Sequence, residues 1–171
     1  PVELFKDAAE QYGYIVMGSN HSRNGPVQVE LEAMRAMYLD ARRRLSIDRQ
    51  RIYTTGFSGG ARVACRMGLN LKGVAGVIAV GGGFPIGVMP DRNTPFVLYG
   101  VTGLGDFNYG EMRRLDESLE GLRIPHRLVV LDGGHSWPPS TRCAEAIEWM
   151  ELHALRAGTR AEDHAFVTSL Y

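Results

Sequence analysis

The segment Gly56-Phe57-Ser58-Gly59-Gly60 constrains this chain more than any other. It follows a short β-branched and aromatic run, Arg51-Ile52-Tyr53-Thr54-Thr55, and precedes a helical pattern, Ala61-Arg62-Val63-Ala64-Cys65-Arg66-Met67. The order is therefore strand, sharp turn, helix, with a serine at the tip, which is the context that gives a G-x-S-x-G nucleophile elbow its meaning. A turn this tight forces the serine into strained backbone space, and a Cβ two residues to either side is expected to collide with the neighbouring strand or helix. The Gly59 N–H, in the first turn of the helix, lacks an internal partner and is expected to serve as an oxyanion donor. The plainer alternative is a glycine-rich turn with an incidental serine, and the flanking strand and helix favour the elbow.

Strands and helices alternate along the rest of the chain. Val2 to Gln11 has a helical period closed by Gly13, and Tyr14-Ile15-Val16-Met17-Gly18 is a continuous apolar run expected of a buried parallel strand. A polar loop, Ser19 to Pro26, leads to a helix over Val27–Leu45. After the elbow helix, which runs to about Leu71, further strands are expected at Val74–Val80, Pro95–Val101 and Arg127–Leu131. Gly81-Gly82-Gly83 reads as a strand terminator. Helices are expected at Tyr109–Leu122, capped by Asn108 with Glu111 three residues on, and at Ser140–Arg156, opened by Pro138-Pro139. This is an α/β fold: a mainly parallel sheet with helices on both faces. Its functional loops leave the carboxyl ends of the strands. With 171 residues the chain is expected to form one domain over 1–171, with a weakly patterned C-terminal tail at 158–171.

Composition excludes several classes. Formal net charge is +0 and no Lys/Arg run stands out, so no nucleic-acid partner is indicated. No apolar stretch is long enough for a membrane span. Cys65 and Cys143 fall within helical patterns and form neither a disulfide framework nor a metal site. No metal or cofactor motif is present: the chain has no H-E-x-x-H, Walker lysine or dinucleotide fingerprint.

A serine hydroxyl needs an adjacent base, and the base needs a carboxylate to fix its tautomer. His135 follows the last strand after Gly133-Gly134, which lets the chain turn the ring over the sheet edge. His126 precedes a strand, His153 and His164 lie in or beyond the last helix, and His21 comes before the serine. Asp106 follows the Pro95–Val101 strand and gives the order Ser, Asp, His along the chain. Asp91 is the runner-up, and Asp132 is too near His135 in sequence to reach its ring. Phe57 and Trp137 flank the site, either as a substrate pocket or as packing aromatics.

Three segments together resemble a known superfamily: Asp48-x-x-Arg51-Ile52-Tyr53-Thr54-Thr55-Gly56-Phe57-Ser58-Gly59-Gly60, Gly103-x-x-Asp106-x-Asn108-Tyr109, and Gly133-Gly134-His135-Ser136-Trp137. They look like the catalytic half of an α/β-hydrolase. Within that superfamily they are similar to predicted esterases related to polyhydroxybutyrate depolymerases, feruloyl esterases and dienelactone hydrolases. The resemblance implies a three-layer fold, with Ser58 as nucleophile, Asp106 as orienting acid, His135 as general base and no cofactor. It also implies three earlier strands outside this chain. The third would lie between Tyr14–Gly18 and Arg51–Thr55, and its loop would carry the second oxyanion donor. An N-terminal segment or a second chain is therefore expected to complete the sheet.

The function implied is cleavage of a small carboxylic ester through an acyl-enzyme. Two alternatives are a serine peptidase of the prolyl-oligopeptidase type, whose usual companion domain is not in this sequence, and a non-catalytic binding module on the same fold.

Overall fold

The computed structural model describes residues 1–19, 26–161 and 168. Most of the expected polar loop with His21, and the end of the tail with His164, lie outside the described residues.

Four apolar runs, Ile52–Phe57 (β1), Val74–Val80 (β2), Val97–Gly103 (β3) and His126–Leu131 (β4), pair side by side as a parallel sheet in the order β1-β2-β3-β4. A strand covered on both faces must be apolar at successive positions, and β2 is buried along its length except at Ala75. Its side chains alternate between two cores. Val77 and Ala79 join Leu98, Phe84 and Phe96 on one face. Ile78 and Val80 join Tyr99 and Val101 on the other.

Helices cover both faces, making three layers. Gly59–Asn70 (α3) and Tyr109–Leu122 (α4) supply Ala61, Ala64, Cys65, Leu115 and Leu119 to the first core. A 3-10 turn at Val2–Phe5, Lys6–Tyr12 (α1) and Ser140–Arg156 (α5) supply Phe5, Ala8, Ala146, Ile147 and Met150 to the second. The long helix Val27–Arg44 (α2) packs against α3. Gly13, at φ 72°, ends α1 in the left-handed conformation that glycine adopts without a steric penalty. The structure begins β3 two residues later than the sequence pattern suggests and carries it to Gly103. There the backbone runs so close to Gly133 that a Cβ on Gly103 would lie 2.4 Å from the Gly133 carbonyl oxygen.

The expected strand at Tyr14–Gly18 is not formed. The segment is extended but joins no sheet, and β1 is the edge of the four-stranded sheet. An extended run becomes a strand only when another backbone edge lies within hydrogen-bonding reach. Here a groove of about 380 Å³, with Val16, Met17, Met37, Tyr38 and Thr55 among its walls, separates the segment from β1. Tyr14 and Val16 turn inward onto the second core, whereas Ile15 and Met17 face out. The Tyr14 hydroxyl donates to Glu151, a fully buried carboxylate of α5 that also pairs with Arg160 and lies 3.6 Å from Arg51.

Candidate active site

The site is assembled at the carboxyl ends of the strands, where the turns after β1, β2, β3 and β4 meet. Ser58 sits between β1 and α3 at φ 55° and ψ −117°, a conformation few non-glycine residues adopt. Its N–H donates to the Val80 carbonyl at 2.8 Å, and its own carbonyl accepts the Ala61 N–H at 3.0 Å, so both sides of the turn are pinned. The expected crowding holds at one glycine only. A Cβ on Gly56 would lie 2.1 Å from the Gly60 carbonyl oxygen, but a Cβ on Gly60 would meet nothing within 4 Å. The turn demands a small residue on the strand side, where the backbone of α3 passes over it, and leaves the helix side open. Gly59 is the first residue of α3, where an N–H has no acceptor within the helix.

His135 reaches this turn from the loop after β4. Gly133, at φ 145°, bends that loop, and its carbonyl accepts the Gly105 N–H at 2.8 Å, joining it to the loop after β3. His135 Nδ1 lies 2.9 Å from each Asp106 oxygen, and Nε2 lies 2.9 Å from Ser58 Oγ. A carboxylate only accepts, so Nδ1 carries the proton and Nε2 is left with a lone pair to receive the serine O–H. The Asp106 side chain is 1% exposed. It also accepts the Asn108 N–H at 2.7 Å, and these hydrogen bonds make burial of the charge tolerable.

The sequence pattern makes Asn108 the expected cap of α4. Asn108 does hold the cap position, but its side chain makes no cap bond and instead donates to the Gly81 carbonyl at 2.8 Å. Glu111 does not close a capping box either. It takes both guanidinium nitrogens of Arg62, at 2.8 and 2.7 Å, and the Gly83 N–H at 3.2 Å, while Arg62 also donates to the Phe84 carbonyl. Burial acts to raise the Glu111 pKa, but the hydrogen bond and charge of Arg62 outweigh it and hold the carboxyl below its ordinary range. The pair ties the helix after Ser58 to the helix after Asp106, across the glycine turn.

That turn, Gly81-Gly82-Gly83, does more than end a strand. Gly81 has φ 58°, and a Cβ there would sit 2.9 Å from Asp106 Oδ2, 3.1 Å from Phe57 Cε2 and 3.2 Å from His135 Cε1. The absent side chain is the space that the acid and the imidazole occupy. No sequence signal marks this, because the crowding comes from the end of β1 and from two distant loops.

Phe57 packs on His135 with ring centroids 4.5 Å apart and on Trp137 at 5.7 Å, and Trp137 continues to Phe5 at 6.4 Å. Both aromatics are half-buried, and only Phe57 of the two touches the imidazole. Phe107, which sequence reasoning passed over, has its ring centroid 4.1 Å from that of His135 and is 78% exposed. An aromatic residue directly after the acid was the available clue. The remaining candidates lie elsewhere. Asp91 accepts the Asn93 N–H in an exposed turn. His126 bonds the Ile124 carbonyl and Asp116 at the far end of β4. His153 packs on Trp149, and burial lowers its pKa. Among the described residues no group of His, Cys, Asp and Glu could hold a metal ion, and no helix is long and apolar enough to cross a membrane.

No family model matches the chain, and no curated protein sequence matches it. Solved structures do match. An S-formylglutathione hydrolase from Staphylococcus aureus aligns with TM-score 0.59 at 15% identity, over 86% of this chain and 65% of its own. A carboxylesterase from Bacillus cereus aligns with TM-score 0.62 at 15% identity, over 88% and 82%. A puromycin-hydrolysing peptidase from Mycobacterium tuberculosis aligns with TM-score 0.57 at 12% identity, over 74% and 25%. The chain therefore has the α/β-hydrolase-type fold seen in esterases, and it spans about two thirds of the S-formylglutathione hydrolase and a quarter of the peptidase.

Proposed function

We propose that this protein is a serine hydrolase that cleaves carboxylic esters through an acyl-enzyme. The observation that carries the proposal is the continuous hydrogen-bond chain from Ser58 Oγ through His135 to buried Asp106, with the serine held at a strained turn before α3. Ser58 Oγ attacks the ester carbonyl carbon while His135 Nε2 takes the hydroxyl proton. Asp106 keeps the proton on Nδ1 and stabilises the imidazolium. Gly59 N–H donates to the tetrahedral oxyanion. On collapse the C–O bond to the alcohol breaks, and His135 returns its proton to the departing oxygen. Water then repeats the sequence to release the acid and restore Ser58. An ester is taken as the substrate class by analogy with the esterase neighbours, which align over 86% and 88% of this chain where the peptidase aligns over 74%.

We also propose that the groove beside β1 receives an extended segment, supplied by the same polypeptide or by another, that pairs with the free strand edge and brings the second oxyanion donor. One donor is worth roughly two to three orders of magnitude in kcat, so activity without that segment is expected to be low but measurable. The test is hydrolysis of a short-chain p-nitrophenyl ester by the chain with and without the preceding polypeptide, each beside Ser58→Ala. Turnover lost in Ser58→Ala and raised by the added segment supports both readings. Turnover unchanged by Ser58→Ala excludes the first, and turnover indifferent to the preceding polypeptide excludes it as the source of the segment.

A further inference from the structure

Phe107 is out of place for a packing residue. It is 78% exposed, so burial cannot explain a phenyl ring there, yet the ring lies against His135 at 4.1 Å between centroids, tilted by 42°. Its backbone is not free to wander. Two hydrogen bonds span it: the Asn108 N–H donates to Asp106 Oδ1, and the Tyr109 N–H donates to the Asp106 carbonyl at 2.9 Å. The loop's earlier residues are tied to the strand and loop that deliver His135, through Leu104 N–H to the Leu131 carbonyl at 2.9 Å and Gly105 N–H to the Gly133 carbonyl. Phe57, from the residue before Ser58, packs on the same imidazole at 4.5 Å and 38°.

We propose that Phe107 is a positioning residue for His135, an exposed ring that with Phe57 holds the imidazole in line with Ser58 and offers its π face to the imidazolium formed during proton transfer. This rests on the hydrolase reading of the site. Imidazole nitrogens donate and accept in the ring plane, so hydrogen bonds to Asp106 and Ser58 alone leave the ring free to rock about the line joining them. Aromatic rings packed against it resist that motion. Asp106 is the charged group in contact with the imidazole. Ser58, Phe57 and Phe107 are its neutral neighbours, and Gly81 leaves room beside it. A cation over an aromatic face gains enough to change kcat by about two- to fivefold. Loss of alignment adds to this, since a misplacement of about 1 Å can cost on the order of a hundredfold.

The test compares Phe107→Ala, Phe107→Leu and Phe107→Tyr with the unaltered protein on ethyl acetate, whose small groups give an exposed phenyl little to bind. The expected result is a fall in kcat of about tenfold for Phe107→Ala with KM unchanged. Phe107→Leu should recover part of the loss, and Phe107→Tyr should match the parent. A rise in KM with kcat unchanged would make Phe107 a substrate contact and overturn the proposal, as would no change at all. The His135 ring C–H resonances in NMR give a second readout that needs no turnover. They should move when Phe107 is truncated and stay in place for Phe107→Tyr. Resonances indifferent to Phe107→Ala overturn the positioning role even if the chain hydrolyses no ester. A parent protein without turnover, but with resonances that do move, would fail the hydrolase reading while keeping the contact.

Discussion

Gly81→Ala should damage activity far more than it damages the fold. Gly81 sits at φ 58°, where an L side chain costs roughly 1 to 2 kcal/mol. That alone is survivable for a domain of this size. The new methyl, however, would lie 2.9 Å from Asp106 Oδ2, and ordinary contact begins at 3.4 Å, so the carboxylate has to retreat by about half an ångström. His135 Cε1, at 3.2 Å, has to give as well. Asp106 cannot yield without disturbing its hydrogen bonds to His135 and the Asn108 N–H, and His135 cannot yield without leaving Ser58 Oγ. Displacements of this size lie partway to the 1 Å that costs about a hundredfold, so kcat/KM for a p-nitrophenyl ester should fall roughly 10- to 100-fold. Gly13→Ala is the matched control: its φ is 72°, and nothing lies within 4 Å of the added methyl. Gly81→Ala should lose more stability in urea unfolding than Gly13→Ala, by the cost of the displaced neighbours, and only Gly81→Ala should lose activity. Equal activities would refute the claim that this glycine makes room for the acid and the imidazole.

The Arg62–Glu111 pair is half-exposed, so Glu111→Gln should cost only about 1 kcal/mol in denaturant unfolding near neutral pH. Glu111's carboxyl is held below its ordinary range, which makes its contribution present above the unfolded-chain value near 4.5 and lost as pH falls through the folded one. The stability gap between the parent and Glu111→Gln should therefore close in acid, and a gap independent of pH would contradict this. Burial pushes the Cys65 thiol up to about 12 and the Cys143 thiol up to about 11, so the native protein at pH 8 should resist iodoacetamide at both and react once unfolded in guanidinium, as followed by intact mass. By the same linkage the thiols leave stability untouched below the unfolded-state value near 9 and reduce it as pH rises beyond that. Glu151→Ala should cost about 3 to 5 kcal/mol, because it removes a fully buried carboxylate from Tyr14 and Arg160; a change under 1 kcal/mol in urea unfolding would refute that role.

Much of the fold is legible because its signals are local. The bounds of α4 and α5 follow from apolar spacing, from Asn108 at the cap position and from the Pro138-Pro139 start. The buried strand β2 follows from a continuous apolar run between turn residues, and the partly exposed β4 from the shorter run Leu128-Val129-Val130-Leu131. Tyr14–Gly18 carries the same kind of signal and forms no strand, since an apolar run says nothing of whether a second backbone edge stands beside it. In the candidate site, Ser58, Asp106 and His135 come together because each lies in the turn after a strand, and parallel strands deliver their ends to one edge. The surroundings of those residues were not legible. Asn108 looked like a cap and bonds Gly81 instead, Glu111 looked like half of a capping box and pairs with Arg62, and Gly81 looked like punctuation. Each of these roles depends on partners distant in the sequence, 27 residues away for Asn108 and 49 for Glu111, which no local pattern encodes.

The central claim is that Ser58 is an activated nucleophile, and covalent capture tests it most directly. The chain would be treated with a fluorophosphonate and its intact mass and labelled peptide determined, with Ser58→Ala and His135→Ala beside it. A single adduct on the Ser58 peptide, absent in Ser58→Ala and strongly slowed in His135→Ala, is the expected result. A parent chain that stays unmodified, or a Ser58→Ala variant that labels equally well, would contradict the account.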